Sequence, residues 1–249
     1  MKRWVMLITV GVVLAAAYVA YSRLAKDDAP SDGPAGADQS QPEGFNKSLY
    51  SIDEPGSLWW VVNKRRPLPE DYVPANMAAP DIKLRWADDA ESMQVSTQAI
   101  PDLEAMYQAA LKAGHKLMLV SAYRSVGYQK QLYNGYVRSS GQEDADRFSA
   151  RPGTSEHQTG LAVDLGRVDG ECEITECFGQ TPEGKWLAQN AHKYGFIIRY
   201  LKDKEATTGY LYEPWHFRYV GTELAAEIKP TAQTLEEYFG LEPAPDYLD

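Results

Sequence analysis

The chain has 249 residues, 44% of them hydrophobic, and its 16 Tyr and 6 Trp are enough to build a sizeable core. Acidic residues outnumber basic ones by 35 to 25, which gives a formal net charge of −10, and the charges of the first 49 residues cancel one another. The acidic charge of the remainder argues against a nucleic-acid-binding protein, which needs a basic surface.

The first 24 residues predict a membrane anchor. An uncharged stretch runs from Trp4 to Ser22 behind two basic residues, and these 19 residues would span roughly 28 Å as a helix, enough to cross a bilayer core. We expect a single transmembrane helix, with its basic end in the cytoplasm and the rest of the chain on the outer side of the cell membrane. The alternative is a secretory signal peptide cleaved near the alanines at 15–17, which would release the rest of the chain.

Residues 25–49 are rich in Asp, Pro, Gly, Ala and Ser and offer almost nothing to bury, so we predict a disordered linker. Residues 50–249 contain no apparent internal repeat and are long enough for one domain. The predicted organisation is therefore an anchor or signal segment at 1–24, a linker at 25–49 and a domain at 50–249.

The hydrophobic pattern of the domain predicts short strands interspersed with helices. In chain order, the predicted elements are a proline-rich extended arm at 58–76, a helix at 99–113, a strand at 116–122, a second helix after Tyr123, a short acidic helix near 142–149, a strand at 161–165, a helix at 182–194, and strands at 196–200 and 216–220. This order indicates an α+β fold with a small, mainly antiparallel sheet flanked by helices.

The two cysteines, Cys172 and Cys177, lie close together in the stretch G-E-C-E-I-T-E-C-F-G. Outside the cytoplasm such a pair most often forms a disulfide bond, and this is the pairing we predict. A pair of thiolate metal ligands and two free thiols are the alternatives.

Three side chains are candidate metal ligands: His157, Asp164 and His216. Zinc binds imidazole nitrogen and carboxylate oxygen, and a catalytic zinc site keeps a fourth position open. A strand carrying Asp164 and a loop carrying His157 would meet across Gly160, where a missing side chain permits close approach. A zinc site of two histidines and one carboxylate is therefore expected.

The stretch E-P-W-H at 213–216 places a carboxylate three residues before one of these histidines. In a turn, Glu213 could take a proton from an attacking water and return it to a leaving amine, while Trp215 forms a wall of the site. Each of these residues also has an ordinary structural interpretation, because a single histidine is more often a surface or hydrogen-bonded core residue, and Asp164 could serve as a turn or cap residue. A protein without metal therefore remains an alternative at this point.

Five blocks of sequence resemble a known family. They are V-N-K-R-R-P-L-P-E-D-Y-V-P at 62–74, S-A-Y-R-S at 121–125, R-P-G-T-S-E-H-Q-T-G-L-A-V-D-L at 151–165, E-G-K-W-L-A-Q-N-A-H-K-Y-G-F-I-I-R-Y at 183–200, and E-P-W-H-F-R-Y-V-G at 213–221. In order and over residues 58–221, the chain resembles the VanY-type D-alanyl-D-alanine carboxypeptidases, within the zinc D-Ala-D-Ala metallopeptidases. The resemblance implies a D-Ala-D-Ala peptidase/hedgehog-like fold.

The same resemblance implies a role for each matched residue. His157, Asp164 and His216 would be the zinc ligands, Glu213 the catalytic base, Arg124 the group that polarises the scissile carbonyl and stabilises the oxyanion, Ser155 the partner of the substrate's terminal carboxylate, and Gln129, Tyr200 and Trp215 substrate contacts. Tyr200 and Trp215 are equally consistent with core aromatic residues.

The expected function is removal of the C-terminal D-alanine from peptidoglycan stem peptides by a monomeric zinc carboxypeptidase. An L,D-carboxypeptidase acting on tetrapeptide stems would use the same metal site, and a wall-binding module without activity would retain only the fold. The presence of every expected ligand and of the base argues against the silent module.

Overall fold

The computed structural model describes residues 45–248. The predicted anchor at 1–24 and most of the predicted linker at 25–49 therefore lie outside the described residues. Within the described part of the chain, none of the helices combines the length and the apolar character that crossing a membrane requires. Phe45 already stacks on Trp59, with ring centroids 5.5 Å apart, so packing contacts begin before residue 50.

Short strands and helices alternate along residues 45–248. The strands are β1 (Met77–Ala78), β2 (Val95–Ser96), β3 (Leu117–Ser121), β4 (Ala162–Arg167), β5 (Phe196–Ile198) and β6 (His216–Tyr219). The helices are α1 (Ile100–Lys112), α2 (Val126–Ser140), α3 (Gln142–Phe148), α4 (Pro182–Asn190), α5 (Glu205–Thr208), α6 (Thr222–Ile228) and α7 (Leu235–Phe239). Short 3-10 turns lie at Glu91–Met93, Glu156–Thr159, Glu176–Gln180, Ala191–Tyr194 and Lys229–Thr231.

The central sheet has four strands in the order β3-β4-β6-β5, and every neighbouring pair is antiparallel. A separate two-stranded antiparallel ribbon joins β1 and β2. Both observations confirm the predicted α+β class with small antiparallel sheets and helices.

One face of the sheet packs on helices and forms the main core. Alternate residues of the central strands, such as Val163, Leu165 and Phe217, are almost completely buried in the same cluster as Leu103 of α1 and Leu187 of α4. The facing positions on these strands point away from this core because successive side chains of a strand alternate between its two faces. The opposite face of the sheet is consequently free to carry polar side chains.

Helices α2 and α4 each begin at a capping side chain. Ser125 and Thr181 each accept a hydrogen bond from the backbone amide three residues on, at the starts of α2 and α4. The predicted helix at 182–194 stays α-helical to Asn190 and finishes as a 3-10 turn, which ends at Gly195 with φ +78°. A glycine at this left-handed position stops a helix with little steric cost.

A second core cluster unites the extended arm with the C-terminal helices. Trp59 and Val61 of the arm pack with Ile197 of β5, Leu224 of α6 and Leu235 of α7. Trp59 Nε1 also donates a hydrogen bond to the carbonyl of residue 220 at 2.9 Å. The sequence pattern did not predict α6 and α7, since seven and five residues are too few for a clear helical period.

Candidate active site

The register of two central strands brings the first pair of candidate ligands together. Asp164 of β4 is paired directly with His216 of β6, so both side chains point from the same face of the sheet. His216 Nδ1 lies 3.2 Å from Asp164 Oδ1, and both side chains are almost fully buried. This face is the one opposite the main core.

His157 reaches the same point from the 3-10 turn Glu156–Thr159, just before β4. Its Nδ1 lies 2.5 Å from the carbonyl oxygen of Ala122 and its Nε2 lies 3.3 Å from Asp164 Oδ2. A carbonyl oxygen can only accept a hydrogen bond, so Nδ1 carries the proton and Nε2 presents a lone pair to Asp164.

Gly160 ends this turn in the left-handed conformation, with φ +73°. A side chain there would be strained, and its Cβ would also lie 2.7 Å from Sδ of Met77. Glycine is therefore required between His157 and Asp164 for two reasons: the backbone turn is left-handed, and Met77 of β1 leaves little room for a side chain.

The donor set of the three side chains fits a zinc ion. One ligand atom from each of His157, Asp164 and His216 lies within 4.8 Å of the others. His157 Nε2 and Asp164 Oδ1 are buried and have no hydrogen-bond partner among residues 45–248. Atoms that bind one zinc ion tetrahedrally at 2.0–2.2 Å stand roughly 3.4 Å apart. The Asp164 carboxylate lies 3.3 Å from His157 Nε2 and 3.2 Å from His216 Nδ1, which is close to that spacing.

The electrostatics of the cluster favour a cation. Burial, followed by the nearby Arg124 guanidinium, lowers the pKa of His157 to about 4, which keeps this imidazole neutral. Burial alone would raise the pKa of Asp164, but the two imidazoles beside it hold the pKa well below its usual range. For His216, burial alone would lower the pKa, but hydrogen bonds and charge from the neighbouring carboxylates of Asp164 and Glu156 raise it to about 9. A divalent metal requires a neutral imidazole, an ionised carboxylate and a site that attracts positive charge.

Glu213 lies beside the three ligands on the turn that leads into β6. Its Oε2 is 3.7 Å from His216 Nδ1, and its backbone amide donates to the carbonyl of Tyr200 at 3.1 Å. The side chain is buried and borders the cleft, and burial raises the pKa of Glu213 to about 8. A carboxyl group with such a pKa can hold a proton near neutral pH and release it again.

Arg124 borders the metal cluster, and Gln129 lies behind Arg124. Arg124 Nη2 is 3.3 Å from Asp164 Oδ2, and its Nη1 donates to Gln129 Oε1 at 3.0 Å. Gln129 is fully buried, donates to the carbonyl of Ala150 at 2.7 Å and does not border the cleft. Gln129 is therefore placed to orient Arg124, and its contact with substrate stays a prediction.

The other expected substrate contacts border one cleft with a volume of about 410 Å³. Ser155, Tyr200 and Trp215 line it together with the metal cluster and Glu213. The Tyr200 ring lies 4.9 Å from the His216 ring, centroid to centroid, so this aromatic residue contacts a candidate ligand directly. Farther out, the cleft is bordered by the aromatic and aliphatic side chains of Tyr128, Leu132, Tyr136 and Phe148.

A buried ion network behind the cluster was not predicted. The fully buried Glu156 accepts hydrogen bonds at 2.8 Å from Arg199 and at 2.9 Å from Arg218, and its Oε2 lies 3.7 Å from His216 Nε2. Arg199 also pairs with Glu236 of α7 at 2.6 Å. The available signal was the arginine within each of two apolar strand sequences, F-I-I-R-Y and H-F-R-Y, since a buried arginine needs an acidic partner.

Cys172 and Cys177 are joined by a disulfide bond in the loop that follows β4. Cys172 packs against the main core, whereas Cys177 is exposed. The remaining histidines, His115 and His192, are not part of the metal cluster.

Comparisons with known proteins identify the family of this chain. The family model described as "VanY: D-alanyl-D-alanine carboxypeptidase" matches residues 92–222. The putative carboxypeptidase YodJ of Bacillus subtilis is 43% identical over 191 residues, which cover 77% of this chain and 70% of YodJ. The solved LD-carboxypeptidase LdcB is 43% identical with a TM-score of 0.71, covering 75% of this chain and 87% of LdcB. A mutant of the D,D-pentapeptidase VanY, solved with Zn(II), is 32% identical with a TM-score of 0.58, covering 72% of this chain and 97% of that one. The chain belongs to the VanY family of D-alanyl-D-alanine carboxypeptidases.

Proposed function

We propose that this protein is a zinc-dependent carboxypeptidase that removes the C-terminal D-alanine from peptidoglycan stem peptides. The observation that carries the proposal is the meeting of two histidines and an aspartate with the buried carboxyl of Glu213 at one side of a cleft. Membership of the VanY family supplies the substrate class.

The reaction is hydrolysis of the last peptide bond. His157, Asp164 and His216 would hold the zinc ion, which supplies Lewis acidity to the scissile carbonyl and to the attacking water. Glu213 takes the proton of that water and passes it to the nitrogen of the departing D-alanine. Its raised pKa, caused by burial, suits both halves of this transfer.

Two further residues would position the substrate. Arg124 places a fixed positive charge at the edge of the metal cluster, where it can stabilise the oxyanion that develops on the scissile carbonyl. Gln129 holds Arg124 in this position through its 3.0 Å hydrogen bond. Ser155 lines the same cleft and offers a hydroxyl donor to the terminal carboxylate of the peptide.

An L,D-carboxypeptidase is the second candidate. LdcB, named as an LD-carboxypeptidase, is 43% identical to this chain, whereas the D,D-pentapeptidase VanY is 32% identical. Both activities remove D-alanine and need the same catalytic groups. They differ in the residue that precedes the cut bond, which is D-alanine in a pentapeptide stem and an L-centre in a tetrapeptide stem.

The deciding experiment is incubation of zinc-loaded residues 45–249 with pentapeptide and tetrapeptide stems, followed by mass spectrometry. Loss of one D-alanine from the pentapeptide supports the D,D-carboxypeptidase. Loss of D-alanine from the tetrapeptide alone would establish the L,D-carboxypeptidase instead. If neither peptide loses D-alanine, both candidate functions are overturned. Glu213→Gln protein is the control for contaminating peptidases.

We also propose that residues 1–24 anchor the protein in the cell membrane, with the segment up to residue 44 as a spacer that lets the outer domain reach the wall. The uncharged stretch from Trp4 to Ser22 supports this proposal. Membrane fractionation with and without residues 1–24 tests it, because a cleaved signal peptide would leave the mature protein in the soluble fraction.

A further inference from the structure

The backbone of the loop after β4 has an unusual conformation. Ile174 has φ +52° and Cys172 has φ +58°. The left-handed region is unfavourable for a side chain branched at Cβ, because the branch crowds the backbone. Such conformations persist only where their surroundings impose them, and they are concentrated at functional sites.

The surroundings of Ile174 do impose its conformation. The Cys172–Cys177 disulfide closes the loop on both sides of it, and Glu173 pairs with Arg85 at 3.0 Å. Phe178, just after the disulfide, is fully buried in the main core and fastens the end of the loop. The position of Ile174 is therefore held by covalent and core contacts.

Ile174 lines the cleft that contains the metal cluster. Its side chain is 39% exposed, so it does not serve as core packing. Glu213 and Trp215 border the same cleft, and Ile174 adds a branched apolar surface to its lining. An exposed isoleucine in a disfavoured conformation contributes little to core packing there.

We propose that Ile174 is a specificity-determining residue that makes an apolar contact with a side chain of the bound stem peptide, and that the Cys172–Cys177 disulfide holds it in place. The proposal rests on the carboxypeptidase function proposed above. It assigns a role to a loop that lies outside the metal ligands and the catalytic base.

Substitution of Ile174 separates a contact role from a backbone role. Ile174→Ala removes the apolar branch and is expected to raise KM roughly fivefold while kcat changes less than twofold. Ile174→Asn should raise KM similarly yet leave the thermal midpoint unchanged or higher, because asparagine tolerates the left-handed conformation. Val168→Ala is the matched control, since Val168 is 40% exposed near the same loop and does not line the cleft.

The role of the disulfide is tested by a double-mutant cycle. The Cys172→Ser/Cys177→Ser protein, with zinc content and circular dichroism matching the parent, should also show a raised KM. Combining it with Ile174→Ala should add less than twofold, because both changes remove the same contact. Fully multiplicative effects would show that the disulfide does not act through Ile174.

The outcomes also distinguish this proposal from the proposed function. Turnover of a stem peptide by the parent protein with an unchanged KM in Ile174→Ala would overturn the specificity role alone. A parent protein that contains zinc but cleaves neither the pentapeptide nor the tetrapeptide would overturn both.

Discussion

Two carboxyl groups of the cleft differ in charge because their immediate neighbours differ. Asp164 stands between two imidazoles and within 3.3 Å of the Arg124 guanidinium, and its pKa is held well below the usual range. Glu213 has no comparable set of partners, and burial raises its pKa to about 8. Environments that separate the pKa values of neighbouring acids assign them separate tasks, one as a permanent anion and the other as a proton carrier.

Glu213→Gln should therefore abolish most of the activity and spare the metal. Glutamine retains the shape of the side chain but cannot accept the proton, so kcat should fall by roughly 10²–10⁴. Elemental analysis should still find about one zinc per chain. Full activity in this variant would remove Glu213 from its role.

The buried ion network makes Glu236 important for stability. Removal of its carboxylate in Glu236→Ala would leave the fully buried Arg199 with Glu156 as its remaining ionic partner. Breaking one side of such a pair typically costs about 3–5 kcal/mol of unfolding free energy. Urea denaturation measures this loss, and Glu205→Ala, which removes an ion pair at the surface, is the control that should leave the urea midpoint nearly unchanged.

At the scale of elements, the site depends on the register between β4 and β6. Asp164 and His216 share a face because they are directly paired, while Val163 and Phe217, paired next to them, face the core. A slip of one residue would exchange the two faces and bury a carboxylate among apolar side chains. The apolar positions of both strands therefore hold the metal ligands in position.

The turn at Gly160 can be tested against a glycine with the same backbone but no close neighbour. Gly160→Ala meets both an unfavourable φ and the side chain of Met77, and should lower stability by about 1–2 kcal/mol and weaken zinc retention. Gly114 has φ +89° with nothing within 4 Å, so Gly114→Ala should lose stability without a loss of zinc. Equal zinc affinity in the two variants would contradict a role for this turn in placing His157.

Asp146 of helix α3 supports the loop that carries Ser155. Its carboxylate binds the Arg151 guanidinium at 2.7 Å and accepts a hydrogen bond from Tyr133, also at 2.7 Å. Burial would raise the pKa of Asp146, but the hydrogen bonds from Arg151 and Tyr133 lower it below 3.8.

A group with a depressed pKa stabilises the fold above its unfolded value and loses this contribution as pH falls through the folded value. Asp146→Asn should therefore cost about 1 kcal/mol at neutral pH, the upper range for a partly exposed pair. The difference from the parent should close as pH falls below 3.8. Urea denaturation at a series of pH values is the measurement, and a gap independent of pH would exclude the charge of Asp146 as its source.

At the scale of the molecule, the two ends of the described chain pack around the site. Arg218 of β6 donates to the carbonyls of Leu58 and Trp60 in the arm, at 3.1 and 2.9 Å. Near the C-terminus, the Tyr247 hydroxyl accepts from the Arg151 amide at 2.8 Å. Contacts far apart in sequence thus brace the loop and strands that carry the site.

Removal of zinc should lower the thermal stability of the protein as well as stop the reaction. A ligand that binds only the native state stabilises it, by about 4 kcal/mol when its concentration is roughly a thousand times its dissociation constant. Dialysis against a chelator should therefore lower Tm and abolish activity, and added zinc should restore both. Restoration of Tm by magnesium alone would contradict a site built from two imidazoles and one carboxylate.

Much of the site was predictable because its residues lie in short ordered motifs. S-x-H, the aspartate seven residues after that histidine and E-x-x-H identified the cluster, and short, mainly apolar stretches identified β3, β4 and β6. The burial of Gln129 behind Arg124 was not predictable, because a polar residue on a predicted helix gives no sign of whether it faces a cleft or the interior. The short helices α6 and α7 gave too little periodicity to be predicted.

The sequence by itself determined the class of chemistry, since the motifs that hold His157, Asp164, Glu213 and His216 resemble those of one family of zinc peptidases. Only the tertiary structure decided what surrounds them. The ion pairs among Glu156, Arg199, Arg218 and Glu236 join residues 37 to 62 positions apart in sequence, and Ile174 reaches the cleft through a disulfide-closed loop. The physical reason is that burial, and with it pKa and partner choice, depends on which distant segments pack together, whereas motif chemistry is a property of neighbours along the chain.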